Sequence, residues 1–204
     1  MIFKPVSFRP AFGRVLTIVV AVITGVALAG FVVSGDLVGL LRYGWVPLFV
    51  FALTWALFWA PKLDVQEHEV TVRNVFRTVH LPWPAIQRID TKYALTLDTS
   101  IGRVPVWAAP APSRYSVMNV TSEDTKRVAE SARAASGSIR PGDALNSASG
   151  VAAHSMRLRW QQLRDEGFLD SAVIEPGSLR VQWHWGTAAL LAVLLVGAVL
   201  GTVL

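Results

Sequence analysis

From Val15 to Val33 the chain reads VLTIVVAVITGVALAGFVV, without one charged residue. As an α-helix a run of this length rises roughly 28 Å, the hydrocarbon thickness of a bilayer. Such a segment restricts the fold more than any other feature, because a small water-soluble domain has no interior wide enough to hide it all round. Two further runs repeat the pattern. Trp45–Ala60 (WVPLFVFALTWALFWA) is bracketed by Tyr43, Trp45 and Trp59, and its Pro47 falls in the first turn, where a missing N–H is tolerated. Residues 186–204 (GTAALLAVLLVGAVLGTVL) follow Trp183 and Trp185, an aromatic belt at the head of a span. Three transmembrane helices are expected, over about 15–33, 45–60 and 186–204.

Charge sets the expected orientation. Lys4, Arg9 and Arg14 precede the first run, whereas the 34–44 loop offers Arg42 against Asp36. The positive-inside rule therefore places the amino terminus in the cytoplasm of a plasma (inner) membrane. Lys62 and Arg180 flank the second and third runs on that same side, and Leu204 ends outside. A formal charge of +5 would suggest nucleic acid in a soluble protein, but beside membrane runs it is a cytoplasmic bias, and no nucleic-acid partner is expected. Reading the first run as a secretory signal cleaved after Ala27-Leu28-Ala29 is disfavoured, since the apolar run continues past Gly30.

Between residues 61 and 180 the pattern changes. Leu63, Val65, Val70, Val72 and Val75 recur mostly at a period of two, the signature of half-buried strands. Further strands are expected over 77–81, 86–91, 93–97 and 103–108, giving a small β domain over 61–112. Residues 113–150 read as a marginal helix starting near Ser122 and a Gly/Ser-rich linker. A better helix runs over 151–170, where Ala152, Met156, Trp160 and Leu163 form one stripe and Gly167 is a natural terminator. The fold class is thus an α+β membrane protein: an N-terminal helical hairpin over 1–60, a small bent antiparallel sheet with the strand spacing of a barrel or sandwich, one helix to cap its open end and a third span.

Glu69-Val70-Thr71-Val72-Arg73-Asn74-Val75-Phe76, the corner Leu81-Pro82-Trp83-Pro84-Ala85-Ile86, the strand Gly102–Trp107 and the helix end Arg164–Asp170 together resemble the bacterial pleckstrin-homology-like (PH) domain of actinobacterial membrane proteins, related to the low-molecular-weight protein antigen 6 family. The resemblance implies a seven-stranded bent barrel capped by one helix. It leaves function open, because this fold hosts lipid binders, peptide binders and scaffolds. Phosphoinositide-binding relatives use basic residues around the first hairpin loop, whereas here that loop, Gln66-Glu67-His68-Glu69, is acidic.

Chemistry is sparse. The chain has no cysteine, and its four histidines show no metal spacing; Glu67-His68-Glu69 reads as a solvated turn rather than a ligand set. No phosphate loop, nucleophile elbow or metalloprotease motif occurs. No catalytic residue, metal, cofactor or small-molecule substrate is therefore expected. The expectation is a non-catalytic adaptor or accessory subunit that lies in the bilayer and binds a membrane protein partner. The alternative is an anionic-lipid sensor whose headgroup contacts are Lys4, Arg9, Arg14, Lys62 and the helix arginines Arg157, Arg159 and Arg164. Gly197 and Gly201 form a GxxxG in the third run and are candidates for close helix packing.

Overall fold

The computed structural model describes residues 5–91, 94–110, 148–169 and 179–203. In chain order these form β1 (Val6–Phe8), α1 (Ala11–Val33), α2 (Leu37–Tyr43), α3 (Trp45–Thr54) continued by a π-helical turn (Trp55–Trp59), β2 (Lys62–Val65), β3 (Glu69–Arg73), β4 (Arg77–Pro82), a 3-10 turn (Trp83–Ala85), β5 (Ile86–Asp90), β6 (Thr96–Thr99), β7 (Gly102–Pro105), α4 (Ala148–Asp165), β8 (Arg180–Trp183) and α5 (Trp185–Val203). They divide into two compact units. One comprises Met1–Arg9, Lys62–Asn74 and Thr78–Gln182; the other comprises Pro10–Pro61, Val75–Arg77 and Trp183–Leu204.

The first unit is α+β. Strand pairing follows directly from the period-two pattern, because Leu63 stands opposite Val72, which stands opposite Val79, while Val65, Val70 and Leu81 make a second such row. All six are fully buried. The intervening row, Asp64, Thr71 and His80, lies on the other face and keeps partial contact with solvent. These strands belong to a five-stranded sheet ordered β1-β2-β3-β4-β8, and β5-β6-β7 make a second, three-stranded antiparallel sheet.

The expected barrel does not close. Chain direction changes at Pro82-Trp83-Pro84, where two prolines remove backbone donors and the 3-10 turn carries the chain from one sheet to the other. A register shift between Ile86 and Arg88 against β6 bends the second sheet further. Two strands arise where periodicity offered nothing: β1, ahead of the first apolar helix, adds to β2, and β8, just before the last helix, lies beside β4. The strand expected over 93–97 begins at Thr96.

Helix α4 starts at Ala148, three residues inside the expected linker. It buries Ala152, Ala153, Met156 and Leu163 in the core beneath both sheets, with Trp160 half-buried against the same cluster. Gly167, at φ +75°, ends it in a Schellman motif: its N–H donates to Arg164 O (3.0 Å) and the Phe168 N–H to Leu163 O (2.9 Å). The helix expected from Ser122 lies outside the described residues.

The second unit is helical. Two of its helices are long and apolar enough to cross a membrane, over Phe12–Val33 and Trp185–Val203, and α2 with Trp45–Trp59 forms a pair of the same character bent by 43°. The expected second run is thus extended backwards by α2, which Asp36 caps by accepting the Gly39 N–H at 2.7 Å. Its far end widens into the π turn, where the Ala60 N–H reaches Trp55 O. Most of the unit's buried positions carry small or hydrogen-bonded side chains, with Val75 and Leu191 beside them. Ala52, Ala56 and Ala198 are buried, and the hydroxyls of Thr17 and Thr24 donate to Gly13 O (2.8 Å) and Pro47 O (3.2 Å).

Candidate functional site

The connection between β2 and β3 is a tight turn, closed by the Gln66 N–H donating to Glu69 O at 3.0 Å. Two side chains hold its backbone. Trp83, buried at the corner between sheets, donates Nε1–H to Gln66 O (3.2 Å), and Arg159 of α4 donates from Nη2 to Glu67 O (3.3 Å). The same guanidinium lies 4.0 Å from the Glu67 carboxylate. The turn is therefore built into the core through its carbonyls, which leaves the Glu67 and His68 side chains projecting to solvent.

Beside it lies a cleft of about 290 Å³ between this turn and the end of α4. Its apolar wall is Trp83, Pro84, Leu163 and Leu169, with Phe168 exposed at one side. Glu67, His68, Gln162 and Glu166 supply the polar edge, and the Gln162 amide donates to the Glu166 carboxylate at 2.9 Å. The two carboxylates are exposed, whereas Arg159 is buried and spans to the turn. Such a cleft can take an apolar side chain accompanied by a cation or hydrogen-bond donor.

The described basic residues among those expected to contact headgroups stand in different settings. Arg157 and Arg159 lie inside the unit, Arg157 donating from Nη2 to Ile89 O at 3.1 Å. Only Arg164 of the three helix arginines is exposed, 5.7 Å from the Trp160 ring centroid. Lys62 pairs with Asp64 at 2.7 Å. Arg14 belongs to the helical unit, 5.9 Å from the Trp59 ring, and Arg9 is exposed after β1. Lys4 lies outside the described residues. Gly197 and Gly201 sit against this chain's own helical hairpin: a Cβ on Gly197 would meet the Trp45 ring at 2.6 Å, and one on Gly201 would meet Arg42 O.

Among the histidines, His80 contacts the Glu69 carboxylate at 3.2 Å, and the Thr71 hydroxyl donates to that same oxygen at 3.1 Å. Burial, reinforced by the Arg157 charge, pulls His154 below its ordinary value. No group of three His, Asp or Glu side chains is arranged to hold a metal ion among the described residues.

Residues 60–142 match the bacterial PH domain family. The chain carries a bacterial PH-like domain. Strands β2 to β7 fall within the match, while β1, α4 and β8, which complete the sheet and the core, fall outside it. No curated protein matches the chain, and no solved structure does. The Trp83 corner and the acidic loop are legible in the sequence, but their junction with Arg159 is not, because an arginine on an amphipathic helix ordinarily reads as solvated.

Proposed function

We propose that this chain is a membrane-anchored PH-like adaptor, or an accessory subunit of a larger membrane complex, which works by binding rather than by catalysis. Helices α1 and α5, with the bent pair α2–α3 as a third span, hold it in the bilayer, with the domain and amino terminus on the cytoplasmic side of the plasma membrane and the far end of α5 outside. The observation that carries the adaptor reading is the acid-edged cleft beside the 66–68 turn, whose one lining arginine is directed into the protein. A basic side chain beside an apolar one, presented by a protein partner, suits that lining better than an anionic headgroup does. Sensing of anionic lipid, the alternative, retains Arg9 and Arg164 as exposed cations of the domain.

A photo-crosslinking residue at Gln162 of the full chain in native membranes tests the adaptor reading. The expected result is a discrete protein adduct that Glu166→Arg reduces at least about fivefold, a loss of roughly 1 kcal/mol of attraction at the rim. Adducts to lipid alone, or a protein adduct unaffected by charge reversal, contradict it.

A further inference from the structure

The turn between β3 and β4 behaves as part of the helical unit. Val75 is 3% exposed and packs with Ala52, Ala56 and Leu191. His184, just ahead of α5, holds the turn twice: its backbone N–H donates to Phe76 O at 2.8 Å and its ring Nδ1–H to Val75 O at 3.1 Å. With Val75 turned inward and both carbonyls occupied, Phe76 is left 49% exposed. An aromatic ring held out on a braced turn is costly in water.

Its surroundings are aromatic and basic. Arg77, the next residue, lies 6.0 Å from the Trp183 ring, whose centroid is 6.1 Å from that of Trp185. Trp183 and Trp185 are 55% and 74% exposed, so neither indole is buried by the chain. Both stand at the head of α5, and Arg14 with Trp59 makes a second arginine–indole pair in the same helical unit. Rings that are half apolar and half polar, next to a cation on a long stem, match the boundary between acyl chains and phosphates, where Trp and Arg each satisfy one end in either medium. A cation stacked on an indole also keeps its outward N–H groups available to a phosphate oxygen.

We propose that the Val75–Arg77 turn is a lipid-contact element, with Phe76 seated among the upper acyl carbons beside Trp183 and Trp185 and Arg77 taking a lipid phosphate. This rests on the reading of α1 and α5 as spans, and it adds a fourth attachment that comes from the domain's own hairpin. The occupant is the bilayer surface itself, because the patch is continuous with the outward apolar face of α5, where Val193 and Val196 are exposed.

The chain lacks cysteine, so single cysteines can be labelled in the full protein. An environment-sensitive NBD dye would be placed at Phe76→Cys, Trp185→Cys and, within α5, Leu195→Cys, with the protein in phosphatidylcholine vesicles with and without phosphatidylglycerol. The 76 and 185 dyes should shift to the blue and be quenched by a headgroup-proximal nitroxide lipid at least about three times more strongly than by aqueous iodide. Arg77→Glu should lower the nitroxide quenching at 76 about twofold in the anionic vesicles. Dyes at 76 and 185 that emit as in water and quench with iodide, while the 195 dye stays protected from it, overturn the proposal but leave the span intact. An iodide-accessible 195 dye overturns the span reading itself. Protection of position 76 from both quenchers would show a protein surface over the turn and also overturn lipid contact.

Discussion

Valine is used in opposite ways by the two units. In the PH-like domain Val65, Val70, Val72 and Val79 are completely buried, whereas in the helical unit Val22, Val26, Val193 and Val199 are each more than half exposed. Its buried residues are mostly small, including Ala52, Ala56 and Ala198. One unit expels apolar surface from its surroundings, and the other displays it. The two patterns match two solvents: burial drives packing in water, while helices in lipid associate through close backbone approach.

The largest effect should come from damaging the interior of the domain. Trp83→Ala removes a fully buried ring and the donor that fixes Gln66 O, and should cost about 3–5 kcal/mol, read as early proteolysis of residues 62–169 in a thermal series on the full chain. A charge on the outward face comes next. Val193→Arg should oppose insertion by about 2.5–3.5 kcal/mol while Val193→Phe is tolerated, read as the membrane-integrated fraction. If Val193→Arg inserts as well as the parent, that face does not meet lipid.

A smaller effect sharpens the packing side of the contrast. Gly197→Leu drives a side chain into Trp45 and should lower thermal stability in detergent by about 1–3 kcal/mol. Gly186→Leu, where a Cβ meets nothing within 4 Å, should leave it unchanged. The smallest effect concerns pH. Burial and Arg157 lower the proton affinity of His154, so the unfolded chain binds that proton more readily than the folded one. Stability therefore rises with pH through this group and falls as pH drops below the ordinary histidine value of about 6.5; His154→Gln should flatten that part of a melting-temperature profile.

What was legible followed from local pattern. Runs without charge marked α1 and α5, and the period of two from Leu63 to Val72 marked β2 and β3 because each inward residue meets a nearby partner across a short turn. The Trp83 corner was legible too, as prolines on either side of a large aromatic. What escaped depends on distant partners. Val6–Phe8 is a strand only because Leu63–Val65 lies beside it, across the whole helical hairpin. Arg157 and Arg159 read as a basic face, since nothing within α4 shows that the carbonyls of Ile89 and Glu67 receive them. The GxxxG likewise marks close packing without showing that the neighbours are Trp45 and Arg42 of the same chain.

The claim that the units meet different media, with the domain on one side of a membrane that α5 crosses, is tested most directly by two single cysteines in this cysteine-free chain, one at Arg164 on the exposed end of α4 and one at Val203 at the end of α5. An impermeant maleimide applied to intact cells should label position 203, and should reach position 164 only after the membrane is opened. Labelling of both in intact cells, or of neither until permeabilisation, would contradict the account, because α5 would then not carry the chain across.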